Sequence, residues 1–235
     1  MGRDGSNTDK LPIYLDLVAK RKECHLCAEI GLTNPSKVLG RKFDDKGHIG
    51  PWTQWQGNLD AELMVVGQDW GGIDYYVENK GADEDKNETN QRICELLESV
   101  DVRIALPKQP QPTRSLFFTN SVLCLRPRTL TGGYVRSRCF TNCRPFLRSQ
   151  VELVRPRVVV TLGLKAFRSL VLSFGMRPQS KKSMKEAVLE VIRLTDRTTL
   201  VPVFHPGKRG TISRNKEKQK EDWKRVKAAL DEARA

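Results

Sequence analysis

A carboxylate and an imidazole, each placed where a short apolar run ends in a turn, are the residues of this chain best suited to chemistry. The first stands in Glu62-Leu-Met-Val-Val-Gly-Gln-Asp-Trp-Gly-Gly72, where Asp69 follows the run. The second stands in Leu200-Val-Pro-Val-Phe-His-Pro-Gly207, where His205 follows a similar run. Open α/β sheets put their ligand crevice outside the carboxyl ends of the strands, so two such residues read as a catalytic pair on one rim. Gly67, Gly71 and Gly72 let the backbone approach a ligand closely and expose its N–H groups.

Cysteine supplies a second kind of chemistry. Cys24-His-Leu-Cys27 has metal-ligand spacing, and Cys124, Cys139 and Cys143 follow far along the chain. Four thiolates make a zinc or an iron–sulfur site, although the separation of the pairs does not suit a compact zinc finger. One thiol pair with buried cysteines elsewhere is the plainer alternative. Cys94 lies in an apolar helical pattern with Ile93, Leu96 and Leu97 and reads as a core residue.

The elements that must hold these residues alternate between strand and helix. Strands are predicted at 62–67, 115–124, 157–163, 199–204 and, more weakly, 188–194. Helices are predicted at 11–30, 89–100, 140–153, 164–174, 181–187 and 215–234, with 31–60 a long loop and 80–88 a solvated acidic stretch. That alternation predicts a three-layer α/β/α sandwich around a mainly parallel, four-stranded central sheet. At 235 residues and 26.7 kDa the chain buries one good core, read as a single domain over 11–235 behind a disordered tail at 1–10. No apolar run reaches membrane-spanning length, the polar start is unlike a signal peptide, and Met1-Gly2 alone is thin evidence for myristoylation. A formal net charge of +13 and a pI near 9.6 point to a polyanionic partner, nucleic acid ahead of a merely basic surface.

Taken in order, the motifs resemble the uracil-DNA glycosylase superfamily, closest to its iron–sulfur (family 4) branch. They run from Cys-x-x-Cys through Gly57-Asn58 and Gly-Gln-Asp to Thr119-Asn120-Ser-Val-Leu-Cys124 with Arg126-Pro127. Cys143-Arg-Pro-Phe-Leu-Arg-Ser-Gln150, Leu153-Val-Arg-Pro-Arg-Val-Val-Val-Thr-Leu-Gly163 and His205-Pro206 complete the series. Two motifs depart from the pattern. Gly67-Gln68-Asp69-Trp70-Gly71 replaces Gly-Glu-Ala-Pro-Gly, resembling instead the start of the classical uracil-specific motif without its methyl-excluding tyrosine. His205-Pro-Gly-Lys-Arg replaces His-Pro-Ser, and no further histidine follows.

The resemblance implies a role for each residue. A flipped pyrimidine would be read by Asn120, whose amide can donate to O4 and accept from N3–H, and stacked on Tyr75 or Tyr76. His205 and the backbone around Gly67 and Gln68 would stabilise negative charge developing at O2, while Asp69 would hold the attacking water and oppose positive charge on the sugar. Lys208, Arg209 and Arg214 would grip phosphates, with Arg126 and Arg128 extending the track. Cys24, Cys27, Cys124 and Cys143 would bind a structural [4Fe–4S] cluster, with Cys139 the substitute for Cys143.

The implied protein is a monofunctional base-excision glycosylase acting on uracil in DNA, without a lysine nucleophile. A monomer with no membrane partner is expected, cytoplasmic and nucleoid-associated in a prokaryote. The alternatives are a glycosylase for another deaminated base, hypoxanthine or xanthine, and a non-catalytic DNA-binding module on the same scaffold.

Overall fold

The structure, a computed structural model, describes residues 7–112, 115–127 and 135–234. Its elements run α1 (Asn7–Glu23), α2 (Pro51–Trp55), β1 (Leu63–Asp69), α3 (Ile73–Glu78), α4 (Glu88–Glu98) and β2 (Leu116–Val122). Then come α5 (Ser137–Val154), β3 (Val158–Leu162), α6 (Leu164–Ser173), α7 (Arg177–Ser180), α8 (Met184–Ala187), β4 (Ile192–Arg193) and β5 (Thr199–Val203). Finally α9 (Lys208–Ser213) and α10 (Lys216–Arg234) close the chain. Among the described residues, no helix is long and apolar enough to cross a membrane.

The strands order as β2-β1-β3-β5-β4 in a five-stranded sheet. The first four are mutually parallel, and only the two-residue β4 pairs antiparallel, at the edge. The expected α/β/α sandwich is therefore present, and the weaker run at 188–194 joins the four-stranded sheet as a fifth, two-residue edge strand, β4. Successive side chains of a strand face opposite layers, and both layers here are apolar. Met64, Val66, Phe117 and Val159 pack with α1, α5 and α6 through Tyr14, Leu147 and Phe167. Leu63, Val65, Phe118 and Val160 pack the other way, against Trp55, Ile93, Leu96, Trp223 and Val226 from α2, α4 and α10. The chain leaves β1 toward β2 but returns to β3 on its other side, and the ends of β1 and β3 thus flank a topological switch point.

Three local expectations change. α1 begins at Asn7, so helix enters the tail assigned to 1–10, whose first six residues lie outside the described residues. The helix stops at Glu23, before the Cys-x-x-Cys turn, rather than running to 30. The long loop at 31–60 contains α2 and two short 3-10 turns. It is tied down by Arg21, buried at 1% exposure, whose guanidinium meets both oxygens of Asp44 at 2.6 and 2.8 Å and the His48 carbonyl at 2.7 Å. Breaking such a buried pair costs about 3–5 kcal/mol, so this clamp closes the stretch from 21 to 48 on itself, and Cys24 and Cys27 lie inside that stretch.

Candidate active site

The carboxyl ends of β1, β2 and β5 open on a cleft of about 520 Å³, within the range of small-molecule sites. Gly67, Gln68, Asp69, Asn120 and His205 all line it. Parallel pairing sets Gly67 directly beside Asn120. A Cβ at Gly67 would stand 2.4 Å from Asn120 Oδ1 and 3.0 Å from the Trp52 ring, so only glycine lets the amide lie across β1. Asn120 is buried, and its side chain makes no hydrogen bond among the described residues, which leaves a donor and an acceptor to a ligand.

Asp69 is held from two sides. Its Oδ1 accepts from Arg126 Nε at 2.8 Å and its Oδ2 from Gln68 Nε2 at 2.6 Å, with the side chain only 5% exposed. His205 Nδ1 accepts the Gly207 N–H at 3.0 Å, and a neutral imidazole in that arrangement carries its proton on Nε2. Burial lowers the His205 pKa below its ordinary value, and the Asp69 charge opposes that only in part. The ring is thus a neutral donor at pH 7. Gly207 is closely packed: a Cβ there would meet Thr89 Oγ1 at 2.9 Å and the His205 ring at 3.0 Å, so a larger residue would require one of those side chains to shift. Thr89, at the start of α4, occupies the space a serine would need in the common form of the motif.

The aromatic surface differs from the sequence reading. Tyr76 is 1% exposed and packs edge-on against Trp70 at 5.6 Å and Phe43 at 6.2 Å, which makes it a core residue rather than a base platform. Tyr75 donates its phenol O–H to Asp83 Oδ1 at 2.7 Å and leans on Trp70 at 5.1 Å, so it stands behind two lining residues without lining the cleft itself. Trp52 and Trp70 line the cleft instead. Trp52 precedes the first motif on a helix that the loop reading concealed. Asp83, Asn87, Thr89 and Asn90 form a polar wall, also missed. Burial pushes the Asp83 carboxyl up, opposed by the Tyr75 hydrogen bond. The readable signal was Asn87, which caps α4 by accepting from the Thr89 N–H at 2.9 Å.

The cations divide by partner. Arg209 lines the cleft and Lys208 is exposed beside it. The stretch is no open loop: residues 208–213 form α9. Arg214 is removed from the DNA-gripping set, because its Nε and Nη2 reach the two oxygens of Asp222 at 2.9 and 2.6 Å. With Asp222 only 1% exposed, the pair braces α9 on α10. Arg126 is committed to Asp69, and Arg128 lies outside the described residues. Lys165, at the first turn of α6, joins the cleft although no motif marked it.

Past the end of β2 the cysteines gather. Cys27, Cys124, Cys139 and Cys143 share one apolar cluster with Leu32, Val122, Val135 and Phe140, and Cys24 is near enough for its charge to act on Cys124 and Cys143. Hydrogen bonding from Cys124 and then Cys143 draws the Cys27 thiol down, while the same contact with Cys27, followed by burial, pushes Cys124 up. Asn142 Nδ2 donates to Cys27 Sγ at 3.5 Å. Asn34 Nδ2 holds the Cys24 carbonyl at 2.8 Å and so fixes the first turn. Among the described residues no three His, Cys, Asp or Glu side chains are arranged around a single metal ion. A sulfur-only donor set closed in by apolar side chains nevertheless suits an iron–sulfur cluster and would not suit a hard cation.

A family model described as the uracil DNA glycosylase superfamily matches residues 54–230 of this chain. The chain is also similar to the Type-4 uracil-DNA glycosylase of Archaeoglobus fulgidus, 26% identical over 178 residues, covering 72% of this chain and 77% of that protein.

Proposed function

This chain belongs to the uracil DNA glycosylase superfamily, and on that premise we propose that it hydrolyses the N-glycosidic bond of uracil in DNA, leaving an abasic site without cutting the strand. A uracil-DNA glycosylase-type repair function follows from the family and the Type-4 relative. Uracil as the base, and a monofunctional reaction, are our reading. The observation that carries it is the convergence of Asp69, Asn120 and His205 from three strand ends on one cleft. A scaffold that had lost its chemistry would have no need of all three.

In this reading the base leaves the DNA stack and enters the cleft, where the free Asn120 amide supplies the donor and acceptor that O4 and N3–H require. Neutral His205 donates from Nε2 to O2 as the bond lengthens, a contact that strengthens with developing negative charge. Asp69, clamped by Arg126 and Gln68, holds water against the sugar carbon and opposes the positive charge there. Trp52 and Trp70 supply the apolar faces. Lys208 and Arg209 meet the phosphates.

Cys24, Cys27, Cys124 and Cys143 hold a [4Fe–4S] cluster in this proposal, with Cys139, one helical turn before Cys143, the alternate ligand. When bound, the cluster supplies a structural tie between the N-terminal turn, β2 and α5 rather than a catalytic step. We read residues 11–235 as one DNA-binding domain acting as a monomer.

The test is incubation of purified protein with uracil-containing single- and double-stranded DNA, scored for alkali-labile sites, beside duplexes carrying hypoxanthine or xanthine. Alkali-dependent breaks at uracil are expected. Release only from the purine duplexes would substitute another deaminated base, breaks without alkali would end the monofunctional reading, and no release from any substrate would end the catalytic one.

A further inference from the structure

We propose that Arg126 is a positioning residue for catalysis, acting through Asp69 rather than through a DNA phosphate. The inference rests on the glycosylase reading of the cleft. Arg126 lies just past β2, and its main chain is locked to the turn after Asp69 from both sides. Its N–H donates to the Gly71 carbonyl at 2.9 Å, and its own carbonyl accepts from the Ile73 N–H at 3.1 Å. The side chain therefore starts from a fixed point on the opposite lip of the β1 turn.

From there Nε reaches Asp69 Oδ1 at 2.8 Å, while Gln68 Nε2 takes Oδ2 at 2.6 Å. A carboxylate has about four acceptor sites on its two oxygens. One donor on each oxygen sets the plane of the group and still leaves lone pairs for a water. The pair is unequally buried, the Asp69 side chain 5% exposed and the Arg126 side chain 28%. Both residues line the cleft, the guanidinium being the more exposed of the two.

A cation serving mainly as a phosphate grip would be expected to stand exposed to solvent, as Lys208 does. Arg126 instead spends Nε on a nearly buried anion. Small displacements of a reacting group are expensive in rate, about 10²-fold for an ångström, so a group that fixes the carboxylate plane acts on the chemical step without touching substrate.

A double-mutant cycle on Asp69 and Arg126, using the full chain, tests this. Single-turnover uracil release, DNA affinity against salt and the denaturation midpoint are measured for wild type, Arg126→Ala, Asp69→Asn and the double variant. Arg126→Ala should slow release by about ten- to a hundredfold, and Arg126→Lys should restore part of the loss. With Asp69 already changed, removing Arg126 should cost less than about twofold, because the two act as one unit. The salt slope should stay within a few tenths of wild type, against a drop of about 0.9 for a lost phosphate contact.

Additive rate losses, or a salt slope lower by one contact, would overturn the proposal. Coupling in the denaturation midpoint without coupling in rate would do the same, reducing the pair to a structural role. An inactive wild type would be a separate failure, that of the glycosylase reading, with the stability cycle still reporting the pair itself.

Discussion

Asn120 and Cys124 stand on and just past the end of β2, and each serves a region built on a different plan. In the cleft, Asp69 from β1 and His205 from the segment after β5 are fixed by hydrogen bonds, while Asn120 from β2 keeps its amide groups for a ligand. In the thiol nest, residues from the N-terminal turn, β2 and α5 are pressed together under Leu32, Val135 and Phe140. An open region with fixed polar groups can exchange substrate and water. A closed one with soft donors can only hold what it was folded around. The neighbouring residues thus place one strand end between two regions, a cleft with polar groups on one side and a thiol cluster on the other.

The largest expected effect falls on the nest alone. Cys124→Ser should abolish most of the bound iron and the brown visible absorbance of anaerobically purified protein. Colourless wild-type protein containing zinc, or no metal, would break the comparison at the nest while leaving the cleft untouched.

Asp69→Asn is the reciprocal experiment. Single-turnover release should fall by about 10²–10³, with duplex binding and iron content unchanged. Parallel loss of iron would mean that the two regions are one cooperative unit.

His205 sharpens the cleft by pH. Burial keeps its pKa below the ordinary 6.5, so the donor is neutral and the rate level from pH 7 upward as far as this group is concerned. As pH falls below 6.5 and through the depressed value, the ring takes a proton, Nδ1 loses the Gly207 N–H, and the rate declines. The unfolded chain takes that proton first, so folding stability also falls as pH drops through the same window. His205→Ala should lower the rate by at least about tenfold and remove this acid limb. An unchanged limb would assign it elsewhere.

The smallest effect belongs to the rim. Changing Lys208 and Arg209 together to serine should lower the salt slope of DNA binding by up to about 1.8 units, at about 0.9 per phosphate contact, without altering base preference. Arg214→Ala should instead destabilise the fold by about 1–3 kcal/mol, because it leaves the buried Asp222 short of a partner. A salt slope that responds to Arg214 but not to Lys208 and Arg209 would reverse this division.

What the sequence by itself determined was carried by local pattern. Apolar runs ending in Gly-Gln-Asp and in His-Pro located two of the parallel strands and the cleft-lining residues at their ends, because burial on both faces and a sharp turn each leave a mark within a few residues. The motif order implied a cysteine ligand set only through the family resemblance, and the fold gathers Cys27, Cys124, Cys139 and Cys143 in one cluster without choosing between the last two. Side-chain partnership was not legible, because it depends on register and layer packing across the whole chain. Arg126 reads as one more basic residue until parallel pairing brings the end of β2 beside the β1 turn that carries Asp69. Arg214 reads as a DNA contact until α10 presents Asp222. Adjacent tyrosines look interchangeable until α3 turns Tyr76 inward and Asp83 takes the Tyr75 hydroxyl. Tertiary structure alone decided which cations were already neutralised and which rings were already buried, since both are set by neighbours distant in sequence.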